Sequence, residues 1–181
     1  MRQSIIILLL CAAQAVYGQT KYFTKTGTVH FFAGTAVEDI DAINKSLTSV
    51  FETSSGRMEF AALIKGFEFK RGLMQEHFNE NYLESDKYPK AVFKGKCIDL
   101  SKIDFKKDGA YPVIVSGVLE IHGVSREVAV PGEIRIDKGV VASNATFKIQ
   151  LKDYNVEIPG VVKDKISPVV EIKVNCVYKA L

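Results

Sequence analysis

A two-residue rhythm runs through this chain from Thr26 onward, and it limits the possible folds more than any other feature. In "GAYPVIVSGVLEIHG" the odd positions carry Tyr111, Val113, Val115, Gly117, Leu119 and Ile121, while the even positions include Pro112, Ser116 and Glu120. A period of two points successive side chains to opposite faces, so this is a strand with one face in a core and one in water. After the short "HGVS" turn, Val128, Val130, Ile134 and Ile136 share a face, and the Pro131-Gly132 pair marks a bulge or an edge within that strand. "DKG" at 137–139 is another hairpin turn, because Gly139 supplies a positive φ. The next run sets Val141, Ser143, Ala145, Phe147, Ile149 and Leu151 against Asn144, Lys148 and Gln150. These segments form a meander of antiparallel hairpins.

About eight such strands are expected, near 26–33, 46–53, 57–69, 90–98, 110–122, 125–136, 140–152 and 168–179. One helix is convincing, at about 73–84 between strands 3 and 4; "EDIDAINK" at 38–45 is one turn or a loop. Eight antiparallel strands with a lone helix predict an all-β barrel or sandwich. A closed barrel leaves no exposed strand edge, and with eight strands it is just wide enough for side chains or one small ligand. The inward positions mix small residues (Ala33, Ala62, Gly95, Gly117, Ser143, Ala145) with large ones (Phe31, Phe51, Phe60, Phe93, Phe147). Two readings follow, an apolar tube or a core filled by packing large against small.

On the helix, Leu73, Met74, His77, Phe78, Asn81 and Tyr82 form one stripe, so Met74, Phe78 and Tyr82 are expected to seat it on the barrel. Pro89 cannot continue a helix and pushes Tyr88 towards extended geometry, which starts the next strand.

Chemistry-bearing residues are sparse. His30, His77 and His122 fall in a strand, the helix and a turn, with no two at metal-ligand spacing. No serine lies in a G-x-S-x-G elbow and no glycine pattern has the context of a phosphate loop, so no catalytic residue, metal or cofactor is expected. Scattered Lys and Arg, 24 against 21 Asp and Glu, argue against a nucleic-acid partner. That mild basic balance leaves room for transient contact with an anionic membrane surface. Residues 1–18, "MRQSIIILLLCAAQAVYG", read as a secretory signal cleaved before Gln19, which leaves one barrel domain over 19–181 in an exported, periplasmic or extracellular protein. Cys97 and Cys176 then both face the interior from strands on opposite sides, which predicts two unbridged thiols.

Three segments carry a family resemblance: "HFNENYLESDKYPKAVFKG" at 77–95, "SGVLEIHGVSREVAVPGEI" at 116–134 and "ATFKIQLKDYNVEIP" at 145–159. Together they resemble the YceI-like family, over most of the chain from about residue 57. Relatives open with a Trp and a "His-Ser" near the first strand, whereas this chain has "YFTKTGTVHFFAG" and no Trp. The resemblance implies a lipocalin-like, extended antiparallel barrel in an exported protein. It also implies an apolar tunnel for a polyisoprenoid, an isoprenoid quinone or another long-chain lipid, and no shared catalytic motif. The expected ligand contacts are Phe31, Phe51, Phe60, Phe78, Tyr82, Phe93, Val115, Leu119, Ala145 and Phe147. A homodimer is compatible with all of this. The competing readings are an interaction protein with a filled core and, more weakly, a lipid-modifying enzyme using His77 and Glu80.

Overall fold

Turn chemistry sets the meander. His122 and Gly123 both hold positive φ (52° and 71°), as do Lys138 and Gly139 (48° and 80°). Two-residue turns of this hand match the twist of the strands they join. Gly123 has a second reason to be glycine, since a Cβ there would lie 2.4 Å from the Tyr88 ring.

The computed structural model of the chain describes residues 21–98 and 100–181. The expected signal segment therefore lies outside the described residues. The strands are β1 (Lys21–Phe32), β2 (Asp41–Glu52), β3 (Arg57–Leu63), β4 (Glu68–Phe69), β5 (Lys90–Cys97), β6 (Gly109–Ile121), β7 (Val124–Asp137), β8 (Val140–Gln150), β9 (Val169–Val177) and β10 (Lys179–Ala180). Eight of them follow one another as β1-β9-β8-β7-β6-β5-β3-β2, and β2 pairs back on β1 to close an antiparallel barrel. The short β4 and β10 extend β2 and β1. The one α-helix among the described residues, α1 (Gly72–His77), runs on into a wider π-helical turn over Phe78–Tyr82, in which Leu83 N–H donates to Phe78 O at 2.9 Å.

Three expectations need correction. The stretch at 38–45 is not a turn or loop throughout, because β2 begins at Asp41 and pairs with Phe32. Its polar look hid an inward face: Ala42 is buried, and Asn44 is fully buried with its amide donating to Leu63 O at 2.9 Å and its Oδ1 accepting from Ser46 N–H at 2.8 Å. The strand at 57–69 breaks at Leu63, where a tight turn over Ile64–Gly66 intervenes. Gly95 and Gly117 do not widen a tube. They face each other across β5 and β6, and a Cβ on Gly117 would sit 2.3 Å from Lys94 O, so glycine here lets two backbones approach closely.

The barrel has two unlike ends. One carries the β2–β3, β5–β6 and β7–β8 connections and is packed solid around Phe51, Met58, Ile134, Ile136 and Val141. Phe51 is wholly buried, with ring centroids 5.9 Å from Phe105 and 6.2 Å from Tyr178. The Tyr178 hydroxyl is shared with Ser49 (3.1 Å) and Ser143 (3.0 Å), so even the polar atoms here are matched. Cys176 lies in the same floor on β9 and Cys97 on β5, four places away round the barrel; both are buried and no disulfide joins them. The other end carries α1 and the β6–β7 hairpin.

Candidate ligand-binding cavity

Above the packed floor the inward residues pack against their neighbours, Phe60 on Phe93 at 6.0 Å, but do not fill the barrel. They surround a cavity of about 350 Å³, within the ~300–1,000 Å³ of typical small-molecule pockets. The wall is built by the same alternation that made the strands: Phe31 from β1, Phe60 from β3, Phe93 from β5, Val115 and Leu119 from β6, and Ala145 and Phe147 from β8. Phe78 and Tyr82 reach it from the helical segment, so nine of the expected contacts share one cavity wall. Phe51 does not. It has the inward parity of Phe147 but sits lower, inside the solid floor.

Aromatic packing closes the mouth. The Phe78 ring lies 5.4 Å from Phe31, 5.5 Å from Phe67 and 5.0 Å from Phe69, so one helical residue clamps β1, β4 and the turn before it. Pairs of this geometry add roughly 0.5–1.5 kcal/mol each beyond area burial. Met74 and Tyr82 line the cavity on the same stripe. His77 also borders the mouth but is exposed, as is Glu80. At the rim Glu38 accepts from Arg71 and lies 3.9 Å from Lys165, pinning the β1–β2 loop to the start of the helix and to the segment before β9, while Glu133 borders the cavity from β7.

The wall has a seam between β7 and β8. These strands pair only from Gly132↔Ala145 to Asp137↔Val140; towards the mouth, β7 pairs with β6 alone and β8 with β9 alone. The ladder stops one residue short of Pro131, which has no N–H to offer it, so the Pro-Gly pair marks an edge. A strap made by the turn at Leu151–Tyr154 crosses the seam. Arg126 Nε donates to Asp153 O at 2.8 Å, and His122 Nδ1 lies 3.2 Å from Tyr154 O. His122 Nε2 in turn lies 2.8 Å from Glu84 Oε2, and Tyr88 packs edge-on against the His122 ring at 4.7 Å. Glu84 and Tyr88, His122, and Tyr154 come from three separate motif stretches of the sequence. They meet in one lock that holds the helical segment, the β6–β7 hairpin and the strap together.

The strap brings residues that strand periodicity does not reach. Tyr154 and Val156 are buried and join Leu119 in a second apolar cluster, with Tyr82, Phe93 and Phe147 packed against it. Burial pushes the Tyr154 phenol above its ordinary pKa, with Asp153 adding to the rise and Arg126 opposing it. The Tyr82 phenol is raised by burial as well. The signal for Tyr154 was present in "LKDYNV", where Leu151, Tyr154 and Val156 are the apolar positions, but their spacing fits neither a strand nor a long helix. Among the described residues, no three His, Cys, Asp or Glu side chains converge as metal ligands would.

The sequence matches the family model of the YceI-like domain over residues 12–178. The chain belongs to the YceI-like domain family. The match takes in the opening strand as well as the segments that carry the resemblance. Among solved structures, a polyisoprenoid binding domain from Saccharophagus degradans, implicated in plant cell wall breakdown, superposes with a TM-score of 0.77 at 15% identity, covering 90% of this chain and 99% of that one. Burkholderia cenocepacia BcnA gives 0.70 at 15% identity, with 85% and 96% covered. The Campylobacter jejuni YceI protein gives 0.55 at 20% identity, with 75% and 83% covered. No curated protein matches the chain. At these identities the three structures establish the shared barrel fold of the YceI-like domain.

Proposed function

We propose that this YceI-like chain is an exported lipid-binding protein that holds one long apolar ligand, a polyisoprenoid, an isoprenoid quinone or a fatty-acyl lipid, inside its barrel. The observation that carries the reading is the continuous apolar cavity of about 350 Å³ at one end of a barrel whose other end is solid. Family membership and the polyisoprenoid-binding relative support the ligand class. The signal-like first 18 residues support export to the periplasm or beyond.

The energetics permit such binding without a charged anchor. Burying a CH₂ group contributes about 0.8 kcal/mol, so three isoprene units give on the order of 12 kcal/mol gross. Association opposes this by roughly 4–15 kcal/mol. Net affinity then rests on how well the void fits the chain. The reading assigns no bond-making step to the protein.

Native mass spectrometry, with lipid extraction of protein purified from its own envelope, tests this. A co-purifying species of a few hundred daltons, and uptake of added polyisoprenoid by the stripped protein, are the expected results. Protein that carries no lipid and takes none up would sink the proposal.

A further inference from the structure

Two tyrosines of the barrel are almost fully buried, Tyr154 at 2% exposure and Tyr178 at 4%. The Tyr178 hydroxyl has two hydroxyl neighbours in the packed floor. Tyr154 stands in the cavity wall, its ring packed with Leu119 and Val156 against Phe93 and Phe147. Its backbone is fixed by Arg126 and His122, which hold the carbonyls of Asp153 and of Tyr154 itself. Among the described residues its hydroxyl has no hydrogen-bond partner. The hydroxyl is not sealed off: it keeps accessible surface on a residue that is otherwise buried and stands in the cavity wall, so a group lying in the cavity can reach it. Tyr82 shares the cavity wall and also lacks a partner, but it is only half-buried, so water can satisfy it.

We propose that the Tyr154 hydroxyl is the polar anchor of the cavity, donating a hydrogen bond to the carbonyl oxygen of a ketone, ester or amide on an otherwise apolar chain. The proposal rests on the lipid-binding reading and narrows it from any long hydrocarbon to carbonyl-bearing lipids. The apolar wall grips the chain and contributes affinity; the Tyr154 donor, fixed by the strap, sets where the oxygen lies. The phenol is protonated at neutral pH at its ordinary pKa of 10.0, and burial raises it further, so it is in the form a donor needs. A chain without oxygen leaves that donor unpaired. A pocket built to hydrogen-bond an oxygen discriminates against an analogue that lacks it.

The test compares farnesylacetone with the hydrocarbon in which its carbonyl is replaced by CH₂, by calorimetric titration of the intact chain. Wild type should prefer the ketone by about 5- to 30-fold, the effect of one neutral hydrogen bond to an otherwise unpaired group. Tyr154→Phe should bring the preference to within about twofold of one. In infrared spectra of ¹³C=O-labelled farnesylacetone, the bound carbonyl stretch should lie lower in wild type than in Tyr154→Phe. Thermal melting of the variant, expected no lower than wild type, confirms that it folds. A variant that keeps the wild-type preference and carbonyl frequency would overturn the anchor. So would a wild type that binds both probes equally, and in that case lipid binding itself still stands. A wild type that binds neither probe removes the lipid-binding reading and the anchor with it.

Discussion

The same strands that bury Phe51 without a gap at one end of the barrel leave a void beside Phe147 and the edge-to-face Phe60 and Phe93 rings at the other. At the packed end, rings and aliphatic side chains meet across the axis, and Tyr178, Ser49 and Ser143 satisfy one another. At the hollow end, a helical segment and a strap cover the void without filling it, and the Tyr154 hydroxyl is left unmatched. Alternation decides which side chains face inward. What those side chains meet is decided by height along the barrel and by which loops cross its mouth.

The largest effect that would test this contrast is on stability. Phe51→Ala should cost about 3–5 kcal/mol, the range for emptying an aromatic site in a close-packed core. Phe147→Ala, which removes a ring already facing a void, should cost less than half of that. Urea denaturation of the two variants measures the difference, and equal losses would mean that the ends are packed alike.

Filling the hollow end should separate binding from folding. Ala145→Trp or Phe93→Trp places bulk into the cavity, so polyisoprenoid uptake should fall at least tenfold, a shift of ~1.4 kcal/mol or more. The thermal midpoint should move less than for Val141→Trp in the floor, where overpacking typically costs about 1–3 kcal/mol. Parallel loss of uptake and midpoint in Ala145→Trp and Phe93→Trp would point to a filled core.

The packed floor should also mark itself in thiol chemistry. Burial pushes the Cys176 thiol up to about 11, with the Tyr178 and Ser143 hydroxyls offsetting only part of the rise. Because the folded pKa lies above the ordinary 9.0, this group's contribution to stability is complete below about pH 9 and is lost as the pH climbs towards 11. Iodoacetamide at pH 8 should label Cys176 at least a hundredfold more slowly in the folded protein than in urea, on the order of 3 kcal/mol of protection. Labelling at the unfolded rate would show the floor to be open.

The smallest effect belongs to the rim of the hollow end. The hydrogen bond from His30, at 2.8 Å, is the main cause that holds the Asp41 carboxyl below its ordinary pKa, and Lys70 assists. A lowered carboxyl stabilises the fold above its ordinary pKa of 3.8, and that contribution fades as the pH falls through the folded value. Asp41 is partly exposed, so Asp41→Asn should cost no more than about 1 kcal/mol at neutral pH and less below pH 4. Thermal midpoints of wild type and variant at pH 3 and pH 7 would show it; a larger gap at pH 3 contradicts the assignment.

The sequence was most readable where burial follows a strict period. The β6–β7–β8 meander, both two-residue turns and the Met74, Phe78 and Tyr82 stripe follow from spacing alone. It was least readable where a contact depends on a distant segment. The start of β2 stayed hidden because Asp41 and Asn44 look like loop residues until His30 and Leu63 O are beside them. Gly95 and Gly117 have the parity of tube-widening residues, yet only their pairing across two strands shows that they exist for close backbone approach. Phe51 and Phe147 share a parity and differ only in height. The strap lies beyond the last alternating residue of β8, so no periodicity brings Tyr154 to the cavity wall. The motif stretches that mark the family build the lock around His122, and the cavity they frame is lined mostly by ordinary apolar residues.

The most direct test of the contrast between the two ends is a crystal structure of the protein equilibrated with a polyisoprenoid. The account predicts continuous ligand density above Met58, enclosed by Phe60, Phe93 and Phe147 and capped by Phe78, with the floor around Phe51 unchanged. A barrel in which Phe147 closes onto the Phe60 and Phe93 pair across the axis, with no ligand density between them, would contradict it.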